Sequence, residues 1–387
     1  MRANFNHSAP LLRLAVCLVI GIVAGRCLAF PLLVVLALMA LAVGMTMAVG
    51  RWPMVQSVMI AVSFVVLGMA AWGWSDSDEQ RRAGPVGEWF LEQREVLLDR
   101  YRALADDEAQ YAVLAAMTLG DKSALTSDLR ETYSVTGASH ILALSGLHLG
   151  IIYLLLTWLT LGRRGYVLSQ AVIILGIWAF ALLTGLSTSV VRAATMLTVY
   201  AIFSVGDRGR SPLNVLSFAA IVLLLLNARS LFDVGFQMSF LSVLSILLFM
   251  PLFERLLPTE FLMRHRLFRW IYSMLAVSVA AQLGVGPLIA FYFHRFSTYF
   301  LLSNFVVIPM ATLILYGALV TFLLPPAGHV LVWIVGAMNR ALGWLSALPY
   351  ASIDHLQLSV LQLLMVYVMV GCLYGILRFF VPKRDYM

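Results

Sequence analysis

Residues 11–30 read LLRLAVCLVIGIVAGRCLAF, residues 32–50 LLVVLALMALAVGMTMAVG, and residues 54–74 MVQSVMIAVSFVVLGMAAWGW; the breaks between them are Phe30-Pro31 and Arg51-Trp52-Pro53. Each run has about the 20 residues that a helix needs to cross some 30 Å of hydrocarbon. Breaks this tight leave space for little but helical hairpins. The remainder of the chain follows suit. From His140 onward it is almost continuously apolar, with spans expected at about 140–161, 166–184, 187–206, 212–228, 234–252, 269–291, 299–323, 328–347 and 357–380. Composition agrees: 61% of the 387 residues are hydrophobic and 12% charged, with mean hydropathy +0.92. Ordinary soluble domains are about 45–50% apolar and about 25% charged. A cytosolic enzyme, a secreted domain and a disordered adaptor are excluded. The expected fold is all-α: a polytopic helical membrane protein of about twelve transmembrane helices, with short interfacial amphipathic helices.

Residues 75–138 are the one long polar stretch. In 86–104, Trp89, Phe90, Leu97, Tyr101 and Leu104 recur at helical spacing while Glu92, Arg94, Glu95 and Asp99 fill the other side, as in a helix lying at a membrane surface. Asp106-Asp107-Glu108 opens a second helix that stops near Leu119-Gly120, and Thr126-Ser127-Asp128 starts a third. The expected organisation is therefore N-terminal hairpins over 1–74, outer interfacial helices over 75–138 and a channel-like bundle over 139–387. No cleavable signal peptide is expected, because the apolar residues begin at Leu11 and continue.

Charge sets the orientation. Of the 26 basic residues, Arg51, Arg163-Arg164, Arg208, Arg210, Arg255, Arg264, Arg266, Arg269, Arg378, Lys383 and Arg384 fall on one side of the twelve-span threading. The opposite short connections hold Arg26, Arg229 and Arg295. The positive-inside rule then puts both termini in the cytoplasm and residues 75–138 outside. Cys17, Cys27 and Cys372 lie in apolar runs and form neither a CxxC motif nor a disulfide framework.

Polar groups in spans are the candidate site, since each is expensive in lipid. Gly137-Ala-Ser139-His140-Ile-Leu-Ala-Leu-Ser145-Gly146-Leu-His148-Leu-Gly150 brings two histidines and two serines into the start of a span, with His148 on the helical face of Ser145. It reads either as a broken helix lining a polar cavity or as a small-residue packing face. Arg192 falls inside the span at 187–206, where it either snorkels outward or meets an anion within the bundle. Gln237 and Ser239 open a further span. Gln282, then His294 and Asn304, mark the last polar segment, with Pro287 and Pro309. Carboxylates are nearly missing from the spans, which argues against an ion-coupled carrier. HExxH, GxSxG and GxxxxGK[ST] are absent from the sequence, and neither a metal nor a cofactor is expected. A Ser145–His148 hydrolase stays open as an alternative.

In this order the clusters resemble the competence domain of the ComEC family. The resemblance is carried by Leu119-Gly-Asp121-Lys, Thr136-Gly-Ala-Ser-His140, Leu144-Ser-Gly-Leu-His148, Gly185 with Arg192, Gly206–Arg210, Gly235-Phe-Gln-Met-Ser239-Phe, Gln282 with Pro287, Phe293-His294-Arg-Phe-Ser297, and Asn304 with Pro309. It covers about 107–325. The resemblance implies an inner-membrane channel for single-stranded DNA uptake in natural transformation, without covalent chemistry. His140, His148, Arg192 and His294 would then donate to passing phosphates. Expected partners are single-stranded DNA, membrane lipids, a DNA receptor outside, a separate nuclease and a cytoplasmic helicase-like ATPase; a homo-oligomer is compatible with the sequence. Longer family members carry OB-fold and metallo-β-lactamase-like domains that have no counterpart between Met1 and Met387. The alternative cargo is another anionic polymer or a lipid-linked substrate.

Overall fold

A computed structural model of the chain describes residues 9–28, 31–75, 84–160, 166–205 and 211–380. The basic positions Arg163, Arg164, Arg208, Arg210, Lys383 and Arg384 lie outside the described residues, as does the Gly206–Arg210 segment. Eleven of the twelve expected spans each coincide with one helix, and the span at 140–161 is divided between two. Among the described residues six helices are long and apolar enough to cross a membrane: Pro10–Leu28, Pro53–Trp74, Val234–Leu256, Arg266–Phe293, the Phe300–Thr321 part of a longer helix, and Val360–Phe380. Five further apolar helices are shorter. The chain is an all-α membrane protein organised as two compact units.

The first unit comprises residues 1–82 and 195–240. Its hairpins are α1 (Pro10–Leu28), α2 (Leu32–Ala48) and α3 (Pro53–Trp74). Pro53 starts α3 at the first-turn position, where its missing N–H costs nothing. Helices α1 and α3 meet backbone to backbone. A Cβ on Gly21 would sit 1.9 Å from the Val65 carbonyl oxygen, and one on Gly68 would sit 2.3 Å from that of Leu18. Gly21 and Gly25 form a GxxxG pair, which makes such an approach feasible between helices that have no hydrophobic drive to associate in lipid. Leu18 and Ile22 are fully buried beside it, packing with Ile221 and Leu224 of α11 (Pro212–Leu226) and with Ala228 of a 3-10 turn at Ala228–Phe232. At one end Arg26 stacks over Phe232 at 4.1 Å, and Arg229 lies over Trp72 at 5.2 Å while donating to the Ser75 carbonyl. These cations are held by rings and a carbonyl rather than by carboxylates.

The second unit comprises residues 83–194 and 241–387. It opens with α4 (Pro85–Leu104), α5 (Glu108–Leu119), α6 (Ser127–Val135) and the short α7 (Ser139–Leu142). The capping signals behave as expected. Asp107 accepts from the Gln110 N–H at 2.7 Å, Gly120 ends α5 with φ 73°, and Thr126 accepts from the Leu129 N–H. Helix α5 is packed inside the unit, with every residue from Gln110 to Leu119 buried. The reason is compositional: its Ala, Val, Leu and Met residues go all the way round, and a helix apolar on every side must be enclosed. It forms the centre of the main core with Val307, Ala311 and Ile314 of α15 (Phe300–Leu323) and with Leu331, Val335 and Met338 of α16 (Ala327–Ser346).

Around that core run α8 (Gly146–Thr160), α9 (Tyr166–Leu183), the start of α10 (Thr188–Val205), most of α12 (Val234–Leu256), α13 (Thr259–Arg264) and α14 (Arg266–Phe293). Two short strands, β1 (Phe296–Ser297) and β2 (Ser352–Ile353), pair antiparallel with Phe296 opposite Ile353. The sequence gives no alternation long enough to announce them. The last helix, α17 (Val360–Phe380), has no buried residue. One tie to α14 is the Tyr367 hydroxyl, which donates to the Gly284 carbonyl at 2.9 Å.

Candidate functional site

Of the two readings left open for the start of the span at 140–161, the structure shows the interrupted helix. Helix α7 stops at Leu142, residues 143–145 are not helical, and α8 begins at Gly146. Ser145 is the residue before α8, and its carbonyl accepts from the His148 N–H at 3.1 Å. In return the Ser145 N–H donates to His148 Nδ1 at 3.2 Å, with the Ser145 hydroxyl 3.1 Å from the same nitrogen. Nδ1 therefore accepts, and the ring proton sits on Nε2. This is one half of a capping box, with histidine in the place usually held by glutamate or glutamine. The imidazole is fully buried, and among the described residues Nε2 has no hydrogen-bond partner. Gly146 faces α10, where a Cβ on it would lie 3.8 Å from that of Ala193. Arg192, one residue earlier on α10, is buried and has partners of its own; it does not snorkel out of the unit.

The other predicted residues are distributed as follows. His140 is exposed on α7 and pairs through Nδ1 with the Gly137 carbonyl at 3.1 Å. Asn304 of α15 donates to Ser278 Oγ of α14 at 3.1 Å. Gln282 is half-buried on α14, its amide beside Gly286. His294 ends α14 in the left-handed region at φ 55°, with Nδ1 paired to the Leu356 carbonyl at 2.9 Å. It lines an open cleft of about 520 Å³ with His355, Gln357, Leu358 and Ser359. Gln237 and Ser239 belong to the first unit, where the Gln237 amide donates to the Leu231 carbonyl at 3.1 Å. Ser145 and His148 are thus in direct contact, and Asn304 and His294 have partners from outside the predicted set. Among the described residues no three His, Cys, Asp or Glu side chains gather as a metal site would require.

Two polar groupings were not anticipated. Tyr133 is fully buried, and its hydroxyl donates to Asn339 Oδ1 at 2.7 Å, joining α6 to α16. Arg295 meets Glu131, Ser134 and Asp354 at once. The segment Phe293–Ser297 was marked in the sequence, but its acidic partners lie 59 and 164 residues away. The Arg295 contacts hold both carboxyls below the usual carboxylate range.

Fold and site together define a polytopic helical membrane protein whose buried polar groups sit at a helix break inside an otherwise apolar bundle. The chain belongs to the competence protein family, whose model matches residues 117–379. It is 32% identical over 215 residues to ComE operon protein 3 of Bacillus subtilis (strain 168), a stretch covering 55% of this chain and 26% of that protein. It is also 29% identical over 211 residues to an uncharacterized protein of Aquifex aeolicus (strain VF5), covering 52% of this chain and 47% of that one. The matched stretch is less than half of either relative's length. No solved structure matches the chain.

Proposed function

We propose that this chain is an inner-membrane channel that passes single-stranded DNA into the cytoplasm during natural transformation, with both termini cytoplasmic. The observation that carries the reading is that the match to the competence family spans the helix break and two buried side chains able to donate to an anion, His148 and Arg192. A buried guanidinium and a buried imidazole N–H are donors suited to phosphate oxygens. Partners in this reading are single-stranded DNA, membrane lipids, a DNA receptor outside, a separate nuclease and a cytoplasmic helicase-like ATPase. His140, Ser145, Gly146, Gln282, His294 and Asn304 of the second unit complete the proposed path.

The reading involves no covalent chemistry. The Ser145–His148 contact is accounted for as a helix cap, formed between residues three apart in sequence through Nδ1. Nucleophilic activation would need the imidazole oriented by a third group on its other nitrogen, and among the described residues Nε2 has none. The experiment is a pair of substitutions scored by transformation frequency. Ser145→Ala should retain a measurable fraction of native uptake, and Arg192→Ala should lose most of it. Abolition by Ser145→Ala with Arg192→Ala near native would overturn the channel reading in favour of a hydrolase.

A further inference from the structure

Arg295 is the most heavily engaged charged side chain at the strand pair of the second unit. Its Nη2 and Nη1 reach the two carboxylate oxygens of Glu131 at 2.8 and 2.9 Å, Nη1 also donates to Ser134 Oγ at 3.1 Å, and Nε donates to Asp354. One guanidinium therefore ties together α6, the turn after α14 and the turn after β2. The clamp is not a buried tie: the Glu131 and Asp354 side chains are 59% and 39% exposed. Both can trade the arginine for water at small desolvation cost. The backbone beside it is strained, with His294, Tyr350 and His355 at φ 55°, 58° and 60°. Non-glycine residues held in that region gather where segments clamp or switch.

The clamp also borders an open cleft of about 650 Å³, which Glu131 and Ser134 line together with Lys122 and Arg130. The cleft extends to Leu142 and Ala143, where α7 gives way to the break before Ser145. It thus leads from solvent toward the helix break, and its cations outnumber its acids. A guanidinium fork matches the paired oxygens of a carboxylate and of a phosphodiester equally well. We infer that Glu131 and Asp354 are a latch that occupies Arg295, and that the phosphodiester backbone of a single strand in this cleft takes the guanidinium from them. The inference rests on the DNA-channel reading and adds a named contact and a closed state to it.

The test uses the full chain in detergent, a fluorescein-labelled 30-nucleotide single strand and anisotropy at low salt. Glu131→Gln and Asp354→Asn release Arg295, and each should tighten binding by about 1.5-fold to fivefold, the scale of one exposed ionic contact. Arg295→Gln should weaken binding several-fold. Glu92→Gln, which removes an acid elsewhere on the surface, should leave affinity unchanged and so separate the latch from bulk charge. Glu131→Asp, which keeps the carboxylate, should stay near native, showing that the glutamine effect comes from charge and not from misfolding. If all three clamp substitutions weaken binding alike, Arg295 is a structural tie and the latch is overturned. Native binding with unchanged carboxylate variants overturns the latch and leaves the channel reading standing. A native chain that binds no single strand overturns that reading, and the latch with it.

Discussion

Replacing Gly21 by alanine inserts one methyl group where α1 and α3 touch. Its position is fixed by the helix: 1.9 Å from the Val65 carbonyl oxygen and 2.7 Å from the Val65 carbonyl carbon. Neither atom belongs to a side chain that could swing away. Restoring an ordinary 3.4 Å contact requires the helices to part by about 1.5 Å along that line. A radial gap of about 0.5–1 Å already forfeits a quarter to a half of each dispersion contact across it, and Leu18 and Ile22 are fully buried in this seam. Overpacking of this kind costs about 1–3 kcal/mol, and more where the backbone cannot yield. At roughly 2–4 °C per kcal/mol, the melting temperature should fall by about 2–12 °C. The assay is thermal unfolding of detergent-solubilised protein followed by tryptophan fluorescence. Gly371→Ala and Gly375→Ala are the controls: they form the same GxxxG spacing on α17, where an added Cβ meets nothing within 4 Å. A Gly21→Ala protein melting within 1 °C of native, or controls that fall as far, would refute the direct helix contact.

Tyr133→Phe removes the donor to Asn339 and leaves the half-buried amide without it, at a cost of about 1 kcal/mol. Adding Asn339→Leu should recover most of the loss in the same thermal assay, and a double variant no better than the single would count against the pair. His148→Gln keeps an acceptor at the third position of the α8 cap, so it should fold nearly as well as native, whereas His148→Ala should be less stable by about 1 kcal/mol; indistinguishable variants would count against the cap. The Glu131 and Asp354 carboxyls are held below their ordinary values of 4.5 and 3.8, chiefly by hydrogen bonds from Arg295. Stabilisation from depressed carboxyls is complete above those ordinary values and fades as pH falls through the lowered ones. The melting-temperature difference between native and Glu131→Gln protein should therefore be flat from about pH 8 to about pH 5 and shrink below about pH 4; a difference that shrinks already near neutrality would contradict the assignment.

The helices were legible because in lipid a span needs only length and apolarity, and both are local properties. The break before α8 was legible too, since Gly137, Ser145, Gly146 and Gly150 interrupt an apolar run within one short stretch. So were the α5 boundaries, where an acidic cluster and Gly120 act on their own backbone. Burial of α5 was harder to see. Its apolar circumference is visible in the residues, but the acids on either side suggested a surface helix, and what encloses it comes from α15 and α16, some two hundred residues on. The Gly21–Gly25 spacing was present in the sequence but shared with α17, and packing alone distinguishes the used pair from the open one. Arg295 stood in a marked segment, yet Glu131 and Asp354 carry no local sign of being its partners. Strands of two residues, β1 and β2, are too short for alternation to register.

The central claim is that DNA crosses the inner membrane through this chain, and the most direct measurement is made in the host. A deletion strain and its complemented parent are given radiolabelled duplex donor DNA carrying a selectable marker, and label is followed into the periplasm and the cytoplasm. The channel account predicts that the deletion strain takes label past the outer surface, holds it outside the inner membrane and yields no recombinants, with complementation restoring both. Label reaching the cytoplasm and recombinants at parental frequency in the deletion strain, with no longer homologue encoded in the genome, would contradict it.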